Sequence, residues 1–283
     1  MIAITGATGQ LGQLVIHALL QRIPASDIVA VVRNPAKAQS LIAQGVTVRQ
    51  ADYNDVAALT HAFAGIDKVL LISSSEVGQR VAQHQHVIDA AKAAGVALVA
   101  YTSLLHADRS PLALATEHQA TEAYLQAAGI PHVLLRNGWY TENYLASIPA
   151  ALAHGVLLGS AGEGRIASAT RADYAEAAAT VLTLDAQAGR VYELAGDQAY
   201  SLSELAAELS RQSGQPVRYQ DLPEAEFQAA LLAAGLPAEV ASLLADSDAG
   251  ASRGGLFDDG RQLSALLGRP TTSLTEAVAE ALR

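Results

Sequence analysis

"MIAITGATGQLGQ", residues 1–13, joins a short apolar run, "IAIT", directly to three glycines at positions 6, 9 and 12, after which apolar residues recur at helical spacing. A strand, a glycine turn and a helix in immediate succession is the context in which such glycines acquire a physical role. Gly6 permits the tight turn, Gly9 lets the backbone approach an anion, and Gly12 allows the helix to close on the strand. The helix N-terminus offers unpaired N–H groups and a favourable dipole. The loop therefore reads as a dinucleotide phosphate site, against the plainer alternative of a βα turn shaped by geometry alone.

Beyond the loop the same alternation continues. Strand-like runs "DIVAVVR", "VTVRQAD", "KVLLIS", "ALVAYTS" and "HVLLRN" are nearly continuous in Val, Ile and Leu, as expected of parallel strands covered on both faces. Helical patterns separate them. In "LGQLVIHALLQR" the residues Leu11, Leu14, Val15, Ala18 and Leu19 share one stripe, and "VGQRVAQHQHVIDAAKAAG" is expected to bury Val77, Val81, Ile88 and Ala91 and to stop at Gly95. Asn34 before Pro35 predicts an N-cap with proline in the first turn. The alternation predicts an α/β fold, a Rossmann-type doubly wound parallel sheet over residues 1–138. "TRADYAEAAATVL" and "RVYELAG" predict a helix and strand that return to this sheet at about 171–196. Residues 139–283 are expected to form a smaller, mostly helical C-terminal domain, with a hairpin-like "GVLLGSAGEGR" and a polar loop "ADSDAGASRGGLFDDGR". Capping boxes at Ser201/Glu204 and Ser273/Glu276 mark helix starts within it.

Composition narrows the function classes. A net charge of −10 with only three lysines, Lys37, Lys68 and Lys92, leaves no continuous basic surface for nucleic acid or an anionic membrane. No cysteine occurs, which excludes disulfides, thiolate-held metals and a cysteine nucleophile. No apolar run approaches the roughly 20 residues of a membrane span, and no basic-then-apolar leader opens the sequence. A soluble cytoplasmic protein, monomer or homodimer, is the expectation.

The end of the second strand carries the next discriminating residue. An acid about 20 positions beyond the glycine loop would hold a ribose 2′-hydroxyl. Here Arg33 stands 21 residues beyond Gly12, in "AVVRNPAK", with no acid near it until Asp52. A guanidinium makes paired, charge-assisted bonds to a 2′-phosphate, with Lys37 one turn away as support, so NADPH is expected over NADH. The alternative is a solvated arginine. Ligands of open α/β sheets lie at the carboxyl ends of the strands. "ADYND" is therefore expected near an adenine, Ser73 to Ser75 near ribose and pyrophosphate, "YTS" (Tyr101 to Ser103) at the end of the fifth strand, and "RNGWYTEN" at the nicotinamide end.

With these segments assembled, the chain resembles the NmrA-like branch of the atypical short-chain dehydrogenase/reductase family, and in particular its quinone-reducing members. "TGATGQLG", "VVRNPAKAQ", "RQADY", "LLISSSEVGQR", "YTSLLHAD", "LRNGWY", "ENYLASIPAA" and "GGLFDD" carry the likeness along the whole chain. The resemblance implies a Rossmann-type NADPH domain and a small domain closing a pocket over the nicotinamide. By position it implies cofactor contacts from Gly6, Ala7, Thr8, Gly9, Gln10 and Leu11, from Arg33, from Ser73, Ser74 and Ser75, and from Asn137, Gly138, Trp139, Tyr140, Thr141 and Glu142.

One departure bears on mechanism. Most short-chain dehydrogenases place a Tyr-x-x-x-Lys pair on the helix after the fifth strand, but "ATEHQATEAYLQAAG" has His118 and Glu122 there, and Tyr124 is followed four residues on by Ala128. Alcohol dehydrogenation and sugar epimerisation by the usual route are disfavoured. Quinone reduction survives. Hydride addition to a ketone makes an alkoxide, comparable to water's conjugate base at a pKa of about 15.7, whereas a quinone yields a phenolate-like anion near about 10. The difference spares the enzyme roughly 7 to 8 kcal/mol of acid assistance, so water suffices as proton donor. Asn137 and Tyr140 are expected to orient the nicotinamide or the quinone oxygen, and Trp139 to wall the pocket. The bland alternative is that Trp139 and Tyr140 pack a domain junction. His118 is a candidate proton donor; two potential ligands, His118 and Glu122, are too few for a metal. "HQH" at 84–86 reads as surface packing, and Asp258 and Asp259 as loop or cap residues. The rival function is a dinucleotide redox sensor that binds a protein partner without turnover.

Overall fold

The computed structural model describes residues 1–283. Strands β1 (Ile2–Ile4), β2 (Ile28–Val32), β3 (Thr47–Gln50), β4 (Lys68–Leu71), β5 (Leu98–Leu104) and β6 (His132–Asn137) alternate with helices α1 (Gln10–Leu20), α2 (Gln39–Ala43), α3 (Val56–Ala62), α4 (Arg80–Ala93) and α5 (Ala115–Ala128). There follow α6 (Thr141–Leu145), α7 (Ile148–His154), β7 (Val156–Gly159), α8 (Arg171–Thr183), β8 (Val191–Leu194), α9 (Leu202–Ser213), β9 (Arg218–Asp221), α10 (Glu224–Ala233), α11 (Ala238–Ser252), α12 (Gln262–Leu267) and α13 (Leu274–Ala281).

Seven strands form one sheet in the order β3-β2-β1-β4-β5-β6-β8, with β1 flanked in parallel by β2 and β4. Chain order reverses between β1 and β4, the switch point of a doubly wound sheet. The central strands β1, β2 and β5 are buried at every residue, which explains their unbroken apolar composition. Val29, Val31, Leu59, Phe63, Val69, Leu71, Val87 and Ile88 belong to one core cluster of this sheet and its helices. Late in the chain α8 packs on α1, and β8 is the strand beyond β6.

The chain divides into two compact units. The first comprises residues 1–107, 116–137 and 171–192; the second comprises 108–115, 138–170 and 193–283. In the second, "GVLLGSAGEGR" is no hairpin. β7 pairs instead in parallel with β9, from Val156 opposite Arg218 to Gly159 opposite Asp221. The stretch read as a polar loop from Ala245 is helical through Ser252, because Ala241, Ala245, Ala249 and Ala251 give α11 a buried face of small residues. Both capping boxes form, at Ser201/Glu204 and Ser273/Glu276. No helix is long and apolar enough to cross a membrane.

The α4 region departs most from its expected pattern. The helix starts at Arg80, not at Val77, and Val77 is exposed. Its buried face opens with the polar Arg80, Gln83 and His84 before reaching Val87, Ile88 and Ala91.

At Gly12 the packing leaves no room for a side chain. A Cβ there would run into the Gly6 carbonyl oxygen and stand 2.8 Å from Ala7 Cα, and both neighbours are backbone that cannot turn aside. Gly12→Ala is accordingly expected to destabilise the protein by about 1–3 kcal/mol, measured by urea unfolding. Gly9→Ala, whose Cβ would stand 3.1 Å from the same oxygen, is expected to cost less.

Candidate functional site

The glycine loop is shaped to receive an anion. Gly6 has φ of +59°, a conformation that favours glycine. Gly9 donates its N–H to the Gly6 carbonyl at 2.9 Å and caps α1 without any side-chain acceptor. No acidic residue stands in the first turn of α1. The first-turn N–H groups and the helix dipole thus meet no carboxylate from their own turn, which suits a pyrophosphate. The absence of a Cβ at Gly9 and Gly12 makes the cradle, and these residues fit the dinucleotide that the sequence implies.

Around the cradle stand the strand ends. Tyr53, in the segment expected near an adenine, has its phenol 2.6 Å from Thr5 Oγ1 and 2.9 Å from the Ile72 carbonyl, and burial pushes its pKa up. Arg33 is exposed at the end of β2, and its carbonyl accepts from Gln50 Nε2 at 3.0 Å. Its guanidinium is not simply solvated: Nη1 donates to Glu76 Oε1 at 2.8 Å. Glu76 lies 43 residues further along the chain.

Glu76 belongs to the loop that carries Ser73, Ser74 and Ser75, and buried polar groups strap that loop down. Ser73 N–H donates to Thr102 Oγ1 at 2.8 Å, and Ser74 N–H to His84 Nε2 at 2.9 Å. Arg80 Nε donates to the Ser74 carbonyl at 2.6 Å, while Glu117 accepts from Arg80 Nη1 and from the Gly78 N–H. His84 is therefore a fully buried strut rather than the surface residue expected from "HQH". Accepting at Nε2 requires a neutral ring with its proton on Nδ1, which lies 2.9 Å from Thr121 Oγ1. Burial, aided by the Arg80 charge, lowers the His84 pKa to about 3.

The position of the missing Tyr and Lys is occupied by committed side chains. His118 is buried, and its Nδ1 lies 2.7 Å from the Tyr101 hydroxyl. Tyr101 sits in the middle of β5, fully buried, rather than at a strand end. Burial pushes His118 down to about 3, so the ring is neutral near pH 7 and is no ready proton donor. Glu122 takes both Nε and Nη2 of Arg136, at 3.0 and 2.7 Å, and the Ser103 hydroxyl at 2.5 Å. No group of metal-binding side chains occurs in the structure. At the end of β6, Asn137 is 5% exposed, and its side-chain Oδ1 has no partner. A buried amide oxygen left unpaired is expensive unless a ligand or water meets it.

The second unit holds a cavity of about 400 Å³ with largely apolar walls. Trp139 lines it, with Phe227 and Leu231 of α10, Leu244 of α11, and the polar Tyr144 and Asp248. Asp248 is 3% exposed; it accepts from the Tyr144 hydroxyl at 2.9 Å and from Ser160 N–H at 3.0 Å. Burial raises its pKa to about 6. Thr141 is buried against Ser168, their hydroxyl oxygens 2.8 Å apart. Tyr140 caps α6. Sequence reasoning missed Tyr144 and Asp248, the latter because it fell in a supposed loop. It also missed Glu76, for which nothing near Arg33 gave a signal.

The model of the NmrA-like family matches residues 1–251. Quinone oxidoreductase 2 of Escherichia coli (strain K12) is 66% identical over 278 residues, 98% of this chain and 97% of that protein. The crystal structure of the NADPH-dependent quinone oxidoreductase from Escherichia coli, complexed with NADPH, superposes with a TM-score of 0.98 at 65% identity, covering 100% of both chains. Triphenylmethane reductase of Citrobacter sp., complexed with NADP(H), gives a TM-score of 0.95 at 40% identity, covering 99% of this chain and 100% of that one.

The two buried imidazoles tie stability to pH. Unfolding returns them to water, where each binds a proton near pH 6.5, whereas the folded chain does not bind one until about pH 3. Their contribution is complete above 6.5 and declines as the pH falls toward 3, by up to about 1.4 kcal/mol per pH unit for each ring. Urea unfolding midpoints are expected to drop between about pH 7.5 and about pH 5, and His84→Gln to flatten that dependence.

Proposed function

The chain belongs to the NmrA-like family, and on that premise we propose that it is an NADPH-dependent oxidoreductase that reduces small quinones by two-electron hydride transfer. The observation that carries the reading is what stands where most short-chain dehydrogenases carry their Tyr and Lys. His118 is held neutral against Tyr101, and Glu122 is consumed by Arg136 and Ser103. What remains suits an acceptor whose reduced anion is a weak enough base to take its proton from water. The likeness to the Escherichia coli enzyme, 66% over nearly the whole chain, supports the same substrate class.

Bound NADPH supplies a hydride and no proton. The protein's share is binding and orientation. The first turn of α1 and the glycines before it hold the pyrophosphate; Arg33 reads the 2′-phosphate; Ser73 to Ser75 line the ribose and pyrophosphate. The unpaired Oδ1 of Asn137 would meet the carboxamide of the nicotinamide or orient the acceptor, the role also assigned to Tyr140. The cavity walled by Trp139 is assigned to the quinone, because apolar walls bearing a few polar groups are what such a ring requires. Holding the two reactants in register is a task of proximity, not of acid–base assistance.

Steady NADPH oxidation dependent on added benzoquinone or naphthoquinone is the expected result; no turnover with a panel of quinones at saturating NADPH would sink the reading in favour of a sensor. Asn137→Ala is expected to lower kcat while NADPH still binds. Arg33→Glu is expected to weaken NADPH far more than NADH. Ala230→Trp, at the cavity wall, is expected to raise the quinone KM about tenfold or more, with NADPH affinity unchanged.

A further inference from the structure

Arg33 replaces the acid that would hold a ribose 2′-hydroxyl, yet the fold brings an acid back to the same guanidinium. Glu76 lies on the loop between β4 and α4, and its Oε1 accepts from Arg33 Nη1 at 2.8 Å. The carboxylate does not dangle. Its Oε2 accepts from Nε2 of Gln83 at 2.8 Å, and Gln83 is 2% exposed. Its backbone N–H donates to Ser74 Oγ at 3.1 Å, on the loop strapped by His84, Arg80 and Glu117. A buried amide and a pinned backbone thus fix where this negative charge stands.

Its position has two consequences. A 2′-phosphate, carrying roughly 1.5 to 2 negative charges, must share Arg33 with a carboxylate already bonded to it, and the two anions repel across one guanidinium. A 2′-hydroxyl meets the opposite situation. An ionised carboxylate has about four lone-pair sites, and Arg33 and Gln83 occupy one on each oxygen. Glu76 can therefore accept a hydroxyl hydrogen without releasing either partner.

We infer that Glu76 sets the dinucleotide selectivity together with Arg33: it weakens the hold on a 2′-phosphate and accepts the 2′-hydroxyl of NADH, so the chain takes NADH as a second hydride donor. The inference rests on Arg33 as the 2′-phosphate reader, so the test must separate the two. Dissociation constants for NADPH, NADH, adenosine 2′,5′-bisphosphate and adenosine 5′-monophosphate are measured by calorimetry on the wild type, Glu76→Gln, Arg33→Ala and the double variant.

Glu76→Gln is expected to tighten NADPH and the bisphosphate by about three- to tenfold and to weaken NADH by about threefold, with the gain for the phosphate-bearing ligands abolished in the Arg33→Ala background. Glu76→Gln leaving all four constants unchanged, or shifting NADPH and NADH by the same factor, overturns the inference while Arg33 keeps its role. Arg33→Ala weakening NADPH and NADH equally overturns both. The readout is binding, so a fault in turnover does not disturb it.

Discussion

The approach of α1 to the loop after β1 is the constraint on which the molecule depends. The Gly6 carbonyl and the Ala7 backbone fill the space in which a Cβ of residue 12 would lie. Helix and strand therefore meet backbone to backbone, the α1 N-terminus is aimed at the loop, and Leu11, Val15, Ile16 and Leu19 are carried into the core. The same contact gives α8 its place, since α8 packs on α1 before β8 joins the sheet. The shape of the glycine loop and the seating of α1 on the sheet are two outcomes of one close approach, and a side chain there would disturb both.

In the usual short-chain dehydrogenases a tyrosine and a lysine serve catalysis; the positions they would take here serve architecture. Glu122 neutralises Arg136 on β6 and holds Ser103 on β5, so it ties adjacent strands to α5. His118 supports Tyr101 beneath it. Removing one member of a buried ion pair of this kind typically costs about 3–5 kcal/mol, so the site has little freedom to recover acid–base function. Chemistry that needs no enzymic acid is what such a scaffold permits.

The sheet was legible because its signal is local. "IAIT", "DIVAVVR" and "KVLLIS" are apolar over consecutive residues, and the caps at Asn34, Ser201 and Ser273 are spelled within four residues. What was not legible depends on partners far along the chain. The β7–β9 pair joins Val156 to Arg218, and although β7 carries the short run Val156 to Leu158, its partner β9, Arg218–Asp221, has no apolar run to announce it. Arg80, Gln83 and His84 are buried although their residue types argue for exposure, because each finds a hydrogen-bond partner on another segment. Glu76 illustrates both effects: an ordinary exposed acid in sequence, it acquires meaning only from an arginine 43 residues earlier. The glycine loop and Arg33 stand out in the sequence as a candidate dinucleotide site, whereas the charge balance around that arginine does not.

The first unit is assembled from three separate stretches, and its last piece, residues 171–192, follows a long segment that belongs to the other unit. During synthesis the ribosome therefore delivers β1 to β6 well before the helix and strand that finish them. Until residue 192 has left the exit tunnel, the α1 face destined for α8 and the open side of β6 are both uncovered. A nascent chain halted near residue 140 would present a sheet edge and an apolar helix face at once, the two features that invite association between unfinished chains. The long insertion thus makes translation of the middle of the message the interval in which the unfinished first unit leaves its sheet edge and helix face uncovered.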